Sequence, residues 1–277
     1  MPEQPLSPAA LEALRPHVVN LSDGRLRESG AFETTEADVD AIFERHVPAW
    51  RAARAAAGDD GPVRVVLFAH GGLVGERDGL AIARRHVDWW KANGVYPIHF
   101  VWETGLFDAL RAVLESVARR LPTAGRRDLW DRTTDPLVER GARALGGVHV
   151  WSAMKRNAAR ASAEGGGARH VARRLRELCE REAGAGRRVE LHAAGHSAGS
   201  IFHAHFLGAA RELGVPPFRT LQLLAPAIRA DEFRERVIPL LDAAADGDWN
   251  ALTVYTMRAS YERADACAGV YRKSLLY

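Results

Sequence analysis

The chain has 277 residues, of which 47% are hydrophobic and 26% charged, and its formal net charge at pH 7 is +3. This composition excludes a disordered or fibrous protein and predicts one sizeable α/β domain, or a domain that carries an insertion. The sequence has no membrane-length apolar run and no secretory signal layout, so we expect a cytoplasmic protein. Cys179 and Cys267 have neither disulfide-framework nor metal-ligand spacing, and we predict no metal and no cofactor.

The positive charge is concentrated in the middle of the chain. Between residues 104 and 188, 18 Lys and Arg residues stand against 10 Asp and Glu residues. Such a stripe could meet an anionic surface, which makes peripheral membrane contact one hypothesis, although solvated helix faces explain the same charge. No nucleic-acid-binding motif accompanies the stripe, so we predict no nucleic-acid partner.

The first 60 residues are predicted to form an N-terminal extension that packs on the core. Residues 17–21 (HVVNL) predict an edge strand. Thr35 and Asp38 have the pattern of a capping box, and helical spacing follows them as far as the glycine-rich break at residues 58–61.

Beyond this break, strands and helices alternate along the chain. Apolar and β-branched runs predict strands at residues 63–69, 95–102, 189–194, 220–225 and 252–257. Helical spacing predicts helices at residues 76–93, 168–183, 198–213 and 231–244. This alternation predicts an α/β fold, with a mainly parallel sheet and helices on both faces.

Residues 104–167 interrupt this alternation, because they contain no convincing strand, and they predict a helical insertion. An insertion at the carboxyl end of a strand lies over the ligand crevice of an α/β protein, so we expect a lid. The chain therefore divides into an extension, residues 1–60, and a core, residues 61–277, that carries the insertion.

Two motifs carry the chemistry of the sequence. Gly195-His196-Ser197-Ala198-Gly199 is a G-x-S-x-G pattern between a predicted strand and a predicted helix. A nucleophile elbow needs this context, because its serine occupies a strained turn and small neighbours let the backbone pass closely. His70-Gly71-Gly72-Leu73 follows the first core strand, where amides that stabilise an oxyanion are expected.

The two motifs, in this order and on these elements, resemble the esterase and lipase-like members of the α/β-hydrolase family. The resemblance covers about residues 61–277 and implies an α/β-hydrolase-type fold. It implies that Ser197 is the nucleophile and that Gly71, Gly72 and Ala198 surround the oxyanion. The implied substrate is a small-molecule or lipid carboxylic ester, cleaved through an acyl-serine intermediate.

The acid and the base of a catalytic triad are less well defined. The family places the acid after a late strand, and Asp265 is the first candidate, with Asp231 and Glu262 as alternatives. The family places the catalytic histidine after the last strand, but no histidine follows His205, so the expected base is absent from this chain. Residues 270–277 resemble the first turns of an amphipathic helix, and we expect the natural chain to continue to that histidine.

The histidines that are present offer weaker alternatives for the base. His196, His203 and His205 are interpreted as packing residues or as residues that support the site. His70 and His99 lie at or near the carboxyl ends of the first two core strands and could approach the crevice. A second hypothesis is therefore a catalytically incomplete hydrolase-fold protein that binds a ligand or a partner.

Overall fold

The computed structural model describes residues 5–72, 74–102, 147–242 and 251–264. These residues contain a seven-stranded sheet in the order β2-β1-β4-β3-β5-β6-β7. The strands β1 and β2 pair in antiparallel fashion, and the other neighbouring pairs are parallel. The α/β class with a mainly parallel sheet is thus confirmed. The strands are β1 (Val18–Ser22), β2 (Arg25–Leu26), β3 (Val63–Ala69), β4 (Tyr96–Trp102), β5 (Val189–His196), β6 (Thr220–Leu224) and β7 (Ala251–Tyr255).

Helices connect these strands and cover the sheet. In the described ranges they are α1 (Pro8–Glu12), α2 (Glu36–Ala41), α3 (Val47–Ala56), α4 (Glu76–Ala92), α5 (Gly147–Ser162), α6 (Gly167–Gly184), α7 (Gly199–Glu212), α8 (Ala230–Arg236), α9 (Ile238–Asp242) and α10 (Ala259–Ala264). A 3-10 turn, Arg15–His17, precedes β1, and a π-helical turn, Ile42–His46, joins α2 to α3. The helices in the described ranges are all too short or too polar to cross a membrane.

The N-terminal extension contributes two strands to the same sheet as the core. The strand predicted at residues 17–21 is β1, but it pairs with β4 on one side and with β2 on the other. It therefore lies one strand in from the edge, because the short β2 folds back along it. The capping box of Thr35 and Asp38 is present at the start of α2.

The helices α4 and α7 lie on opposite faces of the sheet. Leu80 and Val87 of α4 pack with Val101 of β4, whereas α7 packs against the neighbouring residue Phe100. Successive residues of a strand point to opposite faces, and right-handed crossovers that travel in opposite directions along a sheet place their helices on opposite faces. The carboxyl ends of β3 and β5 therefore form the topological switch point, where open α/β sheets bind ligands.

The predicted insertion at residues 104–167 lies partly outside the described residues. Its described part contains α5, which packs against α7, and α7 in turn packs on the sheet. Met154 and Ala158 of α5 are fully buried in the main core. The predicted helix 231–244 is divided into α8 and α9 in its described part. Pro239 accounts for the break, because proline has no N–H for the preceding helical turn.

Candidate active site

Ser197 lies between the end of β5 and the start of α7, with a left-handed φ of 49°. This conformation costs a non-glycine residue about 1–2 kcal/mol, so surrounding contacts must hold it. The Ser197 N–H donates to the Leu224 carbonyl (2.8 Å), and the Ala227 N–H donates to the Ser197 carbonyl (3.1 Å). Residues at and after the end of β6 therefore hold the strained strand-to-helix turn that the G-x-S-x-G pattern predicts.

The glycines on either side of Ser197 permit close backbone packing. A Cβ placed on Gly199 would lie 2.1 Å from the carbonyl oxygen of Ala69, and one placed on Gly195 would lie 2.8 Å from the carbonyl group of Gly199. Atoms cannot approach so closely without a shift of the backbone. Because Ala69 is the last residue of β3, the missing side chain of Gly199 lets α7 begin directly against the end of that strand.

The His-Gly-Gly loop and the turn at Ser197 meet at this edge of the sheet. A Cβ on Gly71 would lie 3.3 Å from the Cβ of Ser197 and 3.0 Å from Nδ1 of His196. The Ala198 N–H has no hydrogen-bond acceptor among the described residues and stands at the N-terminus of α7, where the helix dipole favours negative charge. The structure thus brings Ser197, Ala198 and Gly71 together, and Gly72 is the next residue of the loop.

His70 holds the His-Gly-Gly loop and is not available to Ser197. Its Nδ1–H donates to the Gly71 carbonyl (2.8 Å), and its Nε2 accepts from the Trp102 N–H (3.2 Å). The Trp102 indole N–H in turn donates to the His70 carbonyl (3.1 Å). Burial lowers the pKa of His70 to about 4, so the ring is neutral and both of its nitrogens are engaged.

Three further histidines from the sequence prediction are also buried or directed elsewhere. His203 lies under the turn, where its Nε2–H donates to the Ala194 carbonyl (2.9 Å), and burial lowers the pKa of His203 to about 4. His99 packs against Phe68, and burial lowers its pKa well below the usual value. Burial also lowers the pKa of His205 to about 4. In the described part of the chain, no side chain is hydrogen-bonded to Ser197 Oγ.

Of the three candidate acids, only the side chain of Asp231 lies within the described residues. Asp265 and the side chain of Glu262 lie outside the described residues. Asp231 is exposed in the first turn of α8, where it accepts two hydrogen bonds from the Arg229 guanidinium (2.9 and 2.7 Å) and one from the Glu232 N–H (2.9 Å). The Arg229 guanidinium, with this N–H, holds the pKa of Asp231 well below its usual range. Asp231 is therefore paired with Arg229 and with an amide in the first turn of α8, and no described histidine lies in its hydrogen-bond set.

Sequence reasoning missed two residues that shape this edge. Ala225, directly after β6, has a left-handed φ of 44°, and the buried residue Ser200 donates a side-chain hydrogen bond to the Ser197 carbonyl. The sequence Ala225-Pro226 does not predict the left-handed conformation of Ala225, because the residue before a proline generally adopts an extended conformation. The spacing of Ser200 from Ser197 matches the common i to i−3 hydrogen bond of helical serines and was a usable signal for the second.

Comparisons with protein-family models, with curated proteins and with solved structures each found no match to this chain. Within the ranges that the structure describes, no group of three or more His, Cys, Asp or Glu residues is arranged to hold a metal ion. Cys179 is buried with a free thiol, and Cys267 lies outside the described residues. The geometry at the carboxyl ends of β3 and β5 is therefore the basis for a functional proposal.

Proposed function

We propose that this chain is a serine hydrolase of the α/β-hydrolase type that cleaves carboxylic esters through an acyl-Ser197 intermediate. The observation that carries the proposal is the strained conformation of Ser197 at the switch point of the sheet, beside an Ala198 N–H that has no acceptor among the described residues. Backbone strain in a non-glycine residue persists when surrounding contacts enforce it, and it is concentrated at functional sites.

In the proposed reaction, Ser197 Oγ adds to the carbonyl carbon of the ester and loses its proton. The negative charge then develops on the former carbonyl oxygen, and the Ala198 N–H and the amides of the Gly71-Gly72 loop are the donors expected to stabilise it. The bond to the alcohol breaks, the alcohol leaves with a proton, and water hydrolyses the acyl-serine. The helix dipole of α7 supports the same oxyanion.

The proton of Ser197 needs an acceptor within hydrogen-bond reach. Since His70 and His203 are held by other partners, we expect the chain of 277 residues to turn over esters slowly. Oxyanion stabilisation and substrate binding alone leave a residual rate of about 10³–10⁴-fold over water when a triad member is missing.

A fluorophosphonate probe tests the proposal, because it forms a covalent bond with an accessible nucleophilic serine. We expect slow labelling at Ser197, located by peptide mass spectrometry, and no labelling of the Ser197→Ala variant. Ser162→Ala is the matched control, since the Oγ of this buried serine has no hydrogen-bond partner among the residues that the structure describes. Absence of an adduct at Ser197 in the folded chain after prolonged exposure to excess probe would contradict the proposal.

The second candidate function is the binding of an ester-like ligand without turnover. It is favoured by one observation, the absence of a hydrogen bond to Ser197 Oγ within the described residues. Hydrolysis of p-nitrophenyl butyrate and calorimetric titration with an aryl boronic acid separate the two functions. Tight binding of the boronic acid with ester hydrolysis equal to that of Ser197→Ala would favour the binding protein, and hydrolysis above that level would favour the enzyme.

A further inference from the structure

Ser200 is a buried serine in the first turn of α7, and its hydroxyl has two partners. The hydroxyl donates to the Ser197 carbonyl (2.6 Å) and accepts from the Ile228 N–H (3.0 Å). Its residue is 1% exposed. Helical serines commonly bond the carbonyl three residues earlier, but here that carbonyl belongs to the strained turn, and the second partner comes from the loop after β6.

The Ser197 carbonyl accepts hydrogen bonds from several donors. It accepts from the Ser200 N–H (3.1 Å) and from the Ala227 N–H (3.1 Å) as well as from the Ser200 hydroxyl. The loop that supplies Ala227 and Ile228 begins at Ala225, whose N–H donates to the Tyr255 carbonyl (2.7 Å). The carbonyl is therefore fixed from α7 and from the loop after β6 at once.

The orientation of this carbonyl determines the direction of the Ala198 N–H. The two groups belong to one peptide unit, which is planar and trans, so the C=O and the N–H point in opposite directions. Donors that hold the Ser197 carbonyl on the inner side of the turn consequently direct the Ala198 N–H outward. This is the N–H that lacks an acceptor within the described residues.

We infer that Ser200 is a positioning residue that aims the Ala198 N–H at the oxyanion of the proposed reaction. Its hydroxyl acts through the Ser197–Ala198 peptide plane and links this plane to the Ile228 amide. The effect on the oxyanion rests on the proposed function. The effect of Ser200 on the orientation of the Ser197–Ala198 peptide does not depend on that function. Ser200 itself does not contact the reacting atoms.

The chemical test uses Ser200→Ala and measures fluorophosphonate labelling of Ser197 at several probe concentrations. We expect the maximal labelling rate to fall about tenfold or more, because removal of one oxyanion donor costs about 10²–10³-fold and a misdirected donor costs part of that. The probe concentration at half-maximal rate should change less than twofold. Ser200→Thr keeps the hydroxyl and should recover most of the rate. Ser162→Ala removes a buried hydroxyl that has no partner within the described ranges, and it should not lower the rate.

A second measurement is independent of reactivity. The ¹⁵N–¹H residual dipolar coupling of Ala198 reports the direction of its N–H bond, and we expect it to change in Ser200→Ala but not in Ser162→Ala. If the wild-type chain is not labelled, the proposed function fails, and this coupling alone decides the positioning role. An unchanged Ala198 coupling in folded Ser200→Ala, or labelling of this variant at the wild-type rate, overturns the inference. Should Ser200→Ala fail to fold, Ser200→Cys, with a weaker donor of similar size, takes its place.

Discussion

Gly199→Ala tests the packing that holds the turn at Ser197 against the sheet. The added methyl group would lie 2.1 Å from the Ala69 carbonyl oxygen and 3.2 Å from that of His70. Both are backbone atoms at the end of β3 and cannot rotate aside, so the start of α7 must move away from the strand. Overpacking of this kind costs about 1–3 kcal/mol, and occasionally more.

Gly208→Ala is the matched control, because it makes the same chemical change within the same helix. Nothing lies within 4 Å of a Cβ placed on Gly208. The substitution in a helix interior should therefore stabilise the protein by about 0.5–1 kcal/mol. The two alanine variants are expected to differ by about 2 kcal/mol or more in free energy of unfolding, with Gly199→Ala the less stable.

Urea unfolding followed by circular dichroism measures this difference, and thermal unfolding should separate the two midpoints by about 4–8 °C. Fluorophosphonate labelling of Ser197 under folding conditions adds a functional measurement, since displacement of α7 moves the Ala198 N–H. If Gly199→Ala proved as stable as Gly208→Ala, the close approach of α7 to β3 would be refuted. Equal labelling of both variants would show that the contact does not control the turn.

Three further predictions concern single residues. Ser197→Gly should be about 1 kcal/mol more stable than Ser197→Ala in urea unfolding, because glycine adopts a positive φ without strain; equal stability would argue against the left-handed turn. Gly72→Val should lower kcat for ester hydrolysis about 10²-fold if its loop supplies an oxyanion donor, and an unchanged kcat would assign the loop a structural role. Burial lowers the pKa of His203 from 6.5 to about 4, so as pH falls through this interval the unfolded chain binds a proton that the folded chain does not. His203 alone should contribute a fall in stability of about 1.4 kcal/mol per pH unit. Other buried histidines, such as His70 and His205, add to the total slope, so His203→Gln should make the slope shallower by about this amount, whereas an unchanged slope would exclude a buried neutral ring.

The strands and helices of the core could be predicted because each has a strong local signal. The run 63–69 is apolar except for Arg64 and corresponds to β3, and the strand before Ser197 differs from the prediction only in its last two residues. The strand β2 could not be predicted, because Arg25 and Leu26 are too few residues to show an alternating pattern. Its presence changes the place of β1, which lies inside the sheet and not at its edge.

The role of His70 illustrates what local sequence cannot supply. Its position after β3 predicts a ring near the crevice, and a ring near a serine is a natural candidate for a base. Its nitrogens are nevertheless bonded to Gly71 and to Trp102, which lies 32 residues away at the end of β4. Which partners a histidine takes depends on the pairing of neighbouring strands, and that pairing is not visible in the spacing of residues along the chain.

Backbone strain separates this edge of the sheet from an ordinary turn. Among the described residues, the non-glycine residues with positive φ are Asp23, Ser197 and Ala225. Asp23 precedes a glycine in the β1–β2 hairpin, where aspartate is a preferred residue for that conformation. Ser197 and Ala225 have no such local preference and depend on hydrogen bonds from neighbouring strands. The two strained residues lie at the ends of β5 and β6, and only tertiary contacts maintain their conformation. A functional need to hold Ser197 Oγ and the Ala198 N–H in fixed positions would explain this strain.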